Sequence, residues 1–152
     1  MIDYQFTNFF VSGSAAYTYR GNVEIDRNSY YTTEMHYSNE VEMPNTTDYS
    51  FRAGYRSRYW IAEGVFTDMR TLGGFDIRKN DMPFPSNEMN ATRIGANFKH
   101  TLKKIRGLEL TGGVMYTLKG RNVGQATTFN GGIFYLMDLS KKNKPRTSQQ
   151  QN

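Results

Sequence analysis

Charged and amide side chains recur at alternate positions within the apolar stretches of the sequence. They are Arg20, Arg52, Arg56, Glu63, Arg93, Asn97, Lys99, Glu109 and Lys119. Because successive side chains of a β-strand point to opposite faces of the sheet, such residues would share one face. A charged face that lines a channel selects solutes by charge, and most of this set is basic, so it predicts a passage that favours anions. The alternative is that opposite charges pair and fill the interior of a small barrel.

A second group of charges lies in the segment 71–90, TLGGFDIRKNDMPFPSNEMN, where Asp76, Arg78 and Asp81 are the candidate binding residues. Loops of this length are uncommon in compact domains unless they are functional or disordered. The segment therefore predicts a constriction or a ligand site outside the sheet. The alternative is a solvated loop that its two prolines stiffen.

The other reactive side chains form no recognisable constellation. The chain has no cysteine, which excludes disulfides and thiolate metal sites. Glu34, His36, Glu40 and Glu42 are close in the sequence, but their spacing matches no familiar metal site. No serine has a histidine at a spacing typical of nucleophilic catalysis. We therefore expect no enzyme activity and no bound metal or cofactor.

The composition favours β-structure and argues against nucleic acid as a partner. The 152 residues include 11 Tyr, 10 Phe and 14 Gly, and aromatic residues are enriched in strands. The net charge of +5 is mild, and the basic residues are scattered apart from KKNKPR near the end. The first residues, MIDYQFTNFF, lack the pattern of a signal peptide, and no window is apolar enough for a transmembrane helix. Transmembrane strands alternate and need only about 9–11 residues, so hydropathy windows do not detect them.

Period-two alternation predicts six strands, near residues 8–20, 48–57, 59–70, 91–102, 108–119 and 127–139. Helix is disfavoured because several of these segments contain glycine, which costs a helix about 1 kcal/mol per residue. The predicted fold class is all-β: an antiparallel up-and-down meander of about six to eight strands that forms part of a transmembrane β-barrel. The predicted barrel region is 1–139, followed by a polar, basic and disordered tail over 140–152.

Long and short connections alternate along the predicted meander, as they do in outer-membrane barrels. The apolar faces mix small, aliphatic and aromatic residues, and Tyr and Trp concentrate near the strand ends, which is typical of contact with lipid and its interfaces. We therefore expect the apolar faces to point outward to lipid and the charged faces to line the interior. The alternatives are a soluble lipocalin-like barrel with an apolar ligand inside, and an outer-membrane scaffold or adhesion barrel that does not conduct.

Six strands are too few for a membrane barrel, because the smallest single-chain examples have about eight. An open sheet in lipid would leave unpaired N–H and C=O groups at both edges. IDYQFTNFF is interpreted as a periplasmic turn that follows a missing strand. The chain would then be the C-terminal part of a larger barrel, or would self-associate into one. Alternatively, segments Val23–Ile25 and Tyr30–Met35 form a hairpin that raises the number to eight.

The stretch GRNVGQATTFNGGIFYLMDL resembles the last hairpin of outer-membrane β-barrel transporters, in the group that includes phenol-degradation-pathway and fatty-acid-transporter-like barrels. NEVEMPNTTDYSFRAGY and TLGGFDIRKNDMPFPSNEMN are similar to loop and strand segments of the same group. The resemblance covers most of residues 9–139 and carries no catalytic motif. It implies a Gram-negative outer membrane and a role in uptake, with no assigned substrate. The expected partners are outer-membrane lipid and a small solute, anionic or apolar. The polar end SKKNKPRTSQQQN departs from the terminal aromatic residue that is common in such barrels.

Overall fold

All regular structure in the described part of the chain is β-strand, and most of it forms a single sheet. The computed structural model describes residues 1–78 and 83–137. The strands are β1 (Ile2–Phe6), β2 (Phe9–Thr18), β3 (Val23–Glu24), β4 (Tyr30–Tyr31), β5 (Met35–His36), β6 (Glu40–Val41), β7 (Asn45–Arg56), β8 (Trp60–Leu72), β9 (Asn90–Thr101), β10 (Leu108–Arg121) and β11 (Thr127–Tyr135). Seven of them form an antiparallel sheet in the order β1-β2-β7-β8-β9-β10-β11. The predicted antiparallel meander is therefore confirmed.

Each of the six predicted strands corresponds to one strand of this sheet, but the expectation for the first residues was wrong. Ile2–Phe6, interpreted as part of a turn, is strand β1 and pairs with β2 from Ile2 opposite Gly13 to Phe6 opposite Phe9. The chain reverses at Thr7 and Asn8, and Thr7 takes the left-handed conformation (φ 51°) that such a tight reversal requires. The alternation of Ile2, Tyr4 and Phe6 was the signal for this strand.

The segment between β2 and β7 forms two small hairpins outside the sheet. β3 pairs with β6, and β4 pairs with β5, each over two residues. The predicted pairing of Val23–Ile25 with Tyr30–Met35 was therefore wrong, and this segment does not raise the sheet to eight strands. Within the described residues, no part of the chain pairs β1 with β11, so these two strands are the edges of an open sheet.

The registers separate apolar from polar side chains with few exceptions in the middle of the sheet. One row across the sheet joins Tyr4, Val11, Ala53, Gly64, Ala96, Val114 and Phe129. The neighbouring row, on the opposite side, joins Gln5, Phe10, Gly54, Glu63, Asn97, Gly113 and Asn130. We call the side of the first row the apolar face and the side of the second row the polar face.

The apolar face is the more exposed of the two. Phe51 and Phe98, on the apolar face, are 53% and 48% exposed, whereas Val65, on the polar face, is 5% exposed. Strand β8 shows the same alternation, with an exposed residue at each apolar-face position from Trp60 to Phe66 and less exposed residues between them. In the described residues no second layer of strands covers either side, so the higher exposure of the apolar face indicates that the sheet curves toward its polar face.

The glycines of the central strands confirm this curvature. A Cβ added to Gly95, on the polar face, would collide with the carbonyl oxygen of Val114 and lie 2.9 Å from the sulfur of Met115. A Cβ added to Gly64, on the apolar face, would meet its nearest atom, the carbonyl oxygen of Ala53, only at 3.9 Å. At these positions the backbone crowds the polar face and leaves the apolar face open, although the Phe98 ring covers Gly112 on the apolar face. We therefore interpret the polar face as the concave side and the apolar face as the convex side.

The described residues contain almost no conventional core. Only Phe10, Val41, Val65 and Ala91 are buried hydrophobic residues. A soluble domain of this size normally buries about two thirds of the surface of its unfolded chain around an apolar core. Most of the apolar surface of this sheet therefore has no protein partner in the structure.

Replacement of Gly95 by Ala should destabilise the sheet by about 1–3 kcal/mol, because the added methyl group has no room on the concave side. Gly64→Ala is the matched control, since it adds the same methyl group on the convex side of the adjacent strand and should change stability by no more than about 0.5 kcal/mol. Urea unfolding in detergent micelles, followed by circular dichroism, measures the difference. Equal effects of the two changes would contradict the assigned curvature.

Candidate functional site: the charged concave face

The candidate site is the polar face, where strands β7 to β10 bring residues distant in sequence into adjacent rows. Arg52 lies on β7, Glu63 on β8, Asn97 and Lys99 on β9, and Glu109 on β10. The side chains of all these residues lie on the polar face, because the strand pairings put them at polar-face positions of their strands. Six predicted residues of the site therefore come together here: these five and Arg93, which lies opposite Thr67 and Thr117.

A polar ladder runs across the middle of this face. The guanidinium of Arg52 lies 3.9 Å from the Glu63 carboxylate, whose other neighbour is the Asn97 amide, which donates a hydrogen bond of 3.0 Å to it. Gly113 separates Asn97 from Asn130, and a Cβ at Gly113 would collide with the Asn97 side chain. The glycine therefore makes room for amide side chains from both neighbouring strands. Glu63 is less exposed than Arg52, with 14% of its side chain accessible against 52%.

A second charged contact lies closer to the short turns. The Lys99 ammonium donates to the Glu109 carboxylate at 2.6 Å, and the Thr101 hydroxyl donates to the same carboxylate at 3.3 Å. The pair is partly exposed, with 37% of the Lys99 side chain and 21% of the Glu109 side chain accessible. Glu63 and Glu109 thus each have a basic partner.

The remaining predicted bases lie around these pairs. The Arg56 guanidinium stacks over the Phe10 ring at 4.9 Å, at the end of β7 near the short turns. Within the described residues, neither Arg56 nor Arg93 has an acidic partner within ion-pair distance. Arg20 lies beyond the end of β2, where its backbone N–H donates to the Asn45 side chain at 2.8 Å.

Lys119 does not share this face, contrary to expectation. The pairing of β10 with β9 shifts between Thr117 and Lys119, which is the signature of a β-bulge. The extra residue puts Lys119 opposite Thr92, on the apolar face at its loop end, beside Arg70 and Arg121 around a pocket of about 190 Å³. A bulge inverts the side-chain alternation beyond it, and the sequence gives no clear signal for it.

A cleft of about 350 Å³ extends the site toward the β1 edge. The residues that β1 contributes to it were not predicted from the sequence. Asp3 and Gln5 of β1 line it together with Ser12 of β2, opposite Arg52 and Arg56. Asp3 and Gln5 were overlooked because β1 was interpreted as a turn. With Glu63, which also lines the cleft, two carboxylates and two guanidinium groups surround one space.

The long loops meet at one end of the sheet, where a second cluster of charges holds them. Arg121, at the end of β10, donates to both oxygens of the Asp76 carboxylate at 2.6 and 2.8 Å and pairs with Glu88 at 2.8 Å. The Asn122 amide donates to Asp76 at 3.0 Å and to the backbone carbonyl of Glu88 at 2.7 Å. Asp76 therefore connects the 73–89 loop to the end of β10.

Aromatic rings join the same loop to the small hairpins. Tyr30 stacks between His36 and Phe84, with ring centroids 4.8 and 5.3 Å apart, and Phe84 also contacts Phe75 at 6.2 Å. The Arg78 guanidinium lies 6.0 Å from the centre of the Tyr31 ring. The third loop candidate, Asp81, is outside the described residues. In residues 1–78 and 83–137 no group of three or more acidic or histidine side chains converges on a metal site.

Comparisons with models of protein families, with curated proteins and with solved structures gave no match to this chain. Its function therefore has to be inferred from its own residues and their geometry.

The loop cluster should depend on pH only in the acid range. Hydrogen bonds from Arg121 and then from Asn122 hold the pKa of the Asp76 carboxyl below its ordinary value of 3.8. A carboxyl with a lowered pKa stabilises the folded state at pH above its unfolded value, and this contribution is lost as the pH falls through the lowered pKa. Hydrogen-exchange protection of the Phe75 and Glu88 amides should therefore stay constant between about pH 7 and pH 5 and decrease below about pH 4.

The variant Asp76→Asn should lower the protection of these amides at neutral pH, since the charge that Arg121 contacts is gone. Asp26→Asn removes an exposed carboxylate from the other long loop and is the control. Unchanged protection in Asp76→Asn would show that the Asp76 carboxylate does not hold the loop and that the contacts of Glu88 and of the aromatic rings suffice.

Proposed function

We propose that this chain forms part of the wall of a β-barrel in a Gram-negative outer membrane and that a small solute passes along its charged face. One observation carries the proposal: the apolar face is the open, convex side, and the charged face is the concave side. Soluble barrels and sandwiches have the opposite arrangement, because they enclose their apolar side chains. A membrane barrel presents apolar side chains to lipid and encloses polar ones.

The distribution of aromatic residues supports the same orientation. On the apolar face, Tyr17 and Tyr49 lie toward the loop end of the sheet, whereas Tyr55, Trp60 and Tyr135 lie toward the short turns. Between them strands β2 and β7 to β10 carry Ala, Gly, Val, Ile, Leu and Phe on this face, whereas Tyr4 of the edge strand β1 lies in the middle row. Tyr and Trp are enriched at both membrane–water interfaces because their rings are amphipathic.

The two long connections lie at the same end of the sheet, as they do in outer-membrane barrels. Residues 7–8, 57–59 and 102–107 make short reversals at one end, and the long connections 19–44 and 73–89 lie at the other end together with the short connection 122–126. In such barrels the short turns are periplasmic and the longer loops are outside. The contacts among the long loops would then lie at the outer mouth of the passage.

The polar face suits a passage for small polar solutes, and Arg56 and Arg93 offer positive charges to anions. Two of its acids, Glu63 and Glu109, are partnered by Arg52, Asn97 and Lys99. Among the described residues of this face, Asp3, Asp48, Arg56 and Arg93 have no oppositely charged group within ion-pair distance. Basic side chains along a pore lower the barrier for anions. The same pairs favour a second candidate, a non-conducting scaffold in which the ladder of side chains fills the interior.

Site-specific fluorescence can test which face meets hydrocarbon, because the chain has no native cysteine. Labels on Ala53→Cys and Ser50→Cys report the two faces of β7. In lipid vesicles, brominated acyl chains should quench the label at position 53 and not the one at position 50, and aqueous iodide should do the reverse. A label at position 53 that neither quencher reaches would indicate an enclosed apolar core, as in a soluble ligand-binding barrel.

Planar-bilayer recordings distinguish a passage from a scaffold. Current steps with a preference for anions are expected, and Arg93→Glu should shift the permeability ratio toward cations because it reverses a charge on the concave face. Arg27→Glu makes the same change in an exposed loop residue and should leave the ratio unchanged. Protein that passes the quenching test but gives no current would support the scaffold.

A further inference from the structure

The two edges of the sheet run in the same direction, and this restricts what can close it. β1 and β11 are the first and the seventh strands of a meander in which every pairing is antiparallel. Strands separated by an even number of reversals are parallel. A direct contact between β1 and β11 would therefore create a parallel seam in an otherwise antiparallel sheet.

The side chains of both edge strands, β1 and β11, are exposed on both faces of the sheet. All five residues of β1 are exposed, and so are eight of the nine residues of β11. The apolar side chains at the edges, Ile2 (79% exposed) and Phe129 (78%), are more exposed than those of the interior strands. In hydrocarbon, each unpaired backbone group of these strands would cost several kcal/mol. The proposed wall is therefore incomplete without further strands.

A second copy of the chain cannot supply them in an antiparallel arrangement. If both copies keep their long loops on the same side of the membrane, β11 of one copy runs parallel to β1 of the other. An inverted copy would pair β11 with β11 in antiparallel fashion, but it would place the two sets of long loops on opposite sides of the membrane.

The rest of this sequence does not supply them either. The hairpins β3–β6 and β4–β5 lie outside the sheet, and the stack of Tyr30 with Phe84 joins the hairpin segment to the 73–89 loop. Residues 140–152, SKKNKPRTSQQQN, contain no aliphatic or aromatic side chain with which to form a lipid-facing stripe.

On the basis of the proposed function, we infer that the sheet is completed by an odd number of antiparallel membrane-crossing strands from a polypeptide segment outside Met1–Asn152. An odd number makes each new pairing antiparallel at β11 and at β1, and a single strand would give the smallest closed barrel, of about eight strands. This segment must alternate, with apolar residues beside Tyr4 and Phe129 and polar residues beside Gln5 and Asn130. The free edges are thus the docking site for a strand donor.

Fusions to the C-terminus of the full chain test whether an odd number of added strands completes the sheet. One fusion adds a copy of residues 108–121, which supplies one strand, and the matched fusion adds a copy of 108–135, which supplies two strands with their native turn. Both are folded into lipid vesicles beside the unmodified chain. The measurement is amide hydrogen exchange of β1, whose sequence is not duplicated in either fusion.

The single added strand should slow exchange of the β1 amides at least tenfold, and the two added strands should leave it as fast as in the unmodified chain. Slow exchange in the unmodified chain, equal slowing by both fusions, or no slowing by either would each overturn the inference. The quenching experiment on positions 50 and 53 tests the proposed function independently of the odd-strand inference. If position 53 meets lipid but the parity result fails, only the odd-strand inference is wrong.

Discussion

A single layer of hydrogen-bonded strands is the constraint on which this structure depends. With one layer, every side chain faces one of two media, and the backbone register decides which. The registers of six strand pairings agree, so that Val11, Ala53, Gly64, Ala96 and Val114 share one side across five strands. A slip of one residue in any strand would exchange its two faces and move charges among the apolar residues. Register is thus the main determinant of chemistry on each side.

The curvature and the charge network follow from this constraint. Glycines on the concave side allow neighbouring strands to approach, and the same positions leave space for Asn97 and Asn130 beside Gly113. Since the described chain buries so few hydrophobic residues, its apolar side chains gain little from contact with one another. These side chains leave water only where something other than the described chain covers the sheet. This is the physical basis of the proposed membrane location.

Much of the fold could be predicted because alternation is a direct consequence of strand geometry. The six long strands, their order and the two long connections were readable from the sequence, whereas the connection 122–126 is no longer than the reversal 102–107. Strand β1 was missed because a segment of five residues with a polar reversal after it also resembles a turn. The cross-pairing of the 19–44 hairpins was missed because two-residue strands carry no periodicity. The position of Lys119 depends on a bulge, and the partners of Asp76 depend on loop packing over more than forty residues of sequence, which local patterns do not encode.

The bulge near Lys119 has a consequence for how deep the sheet can sit in a bilayer. On the convex side, the apolar stripe ends at Phe66, Ile94 and Tyr116, and the next positions toward the loops carry Asp68, Thr92 and Lys119. Charged groups are far costlier at the hydrocarbon midplane than at its boundary. With regular pairing, the apolar Leu118 rather than Lys119 would stand opposite Thr92. By inserting one residue, the strand places an ammonium group at this level. In the proposed membrane location, this group would lie at the hydrocarbon boundary and limit how deeply the sheet inserts.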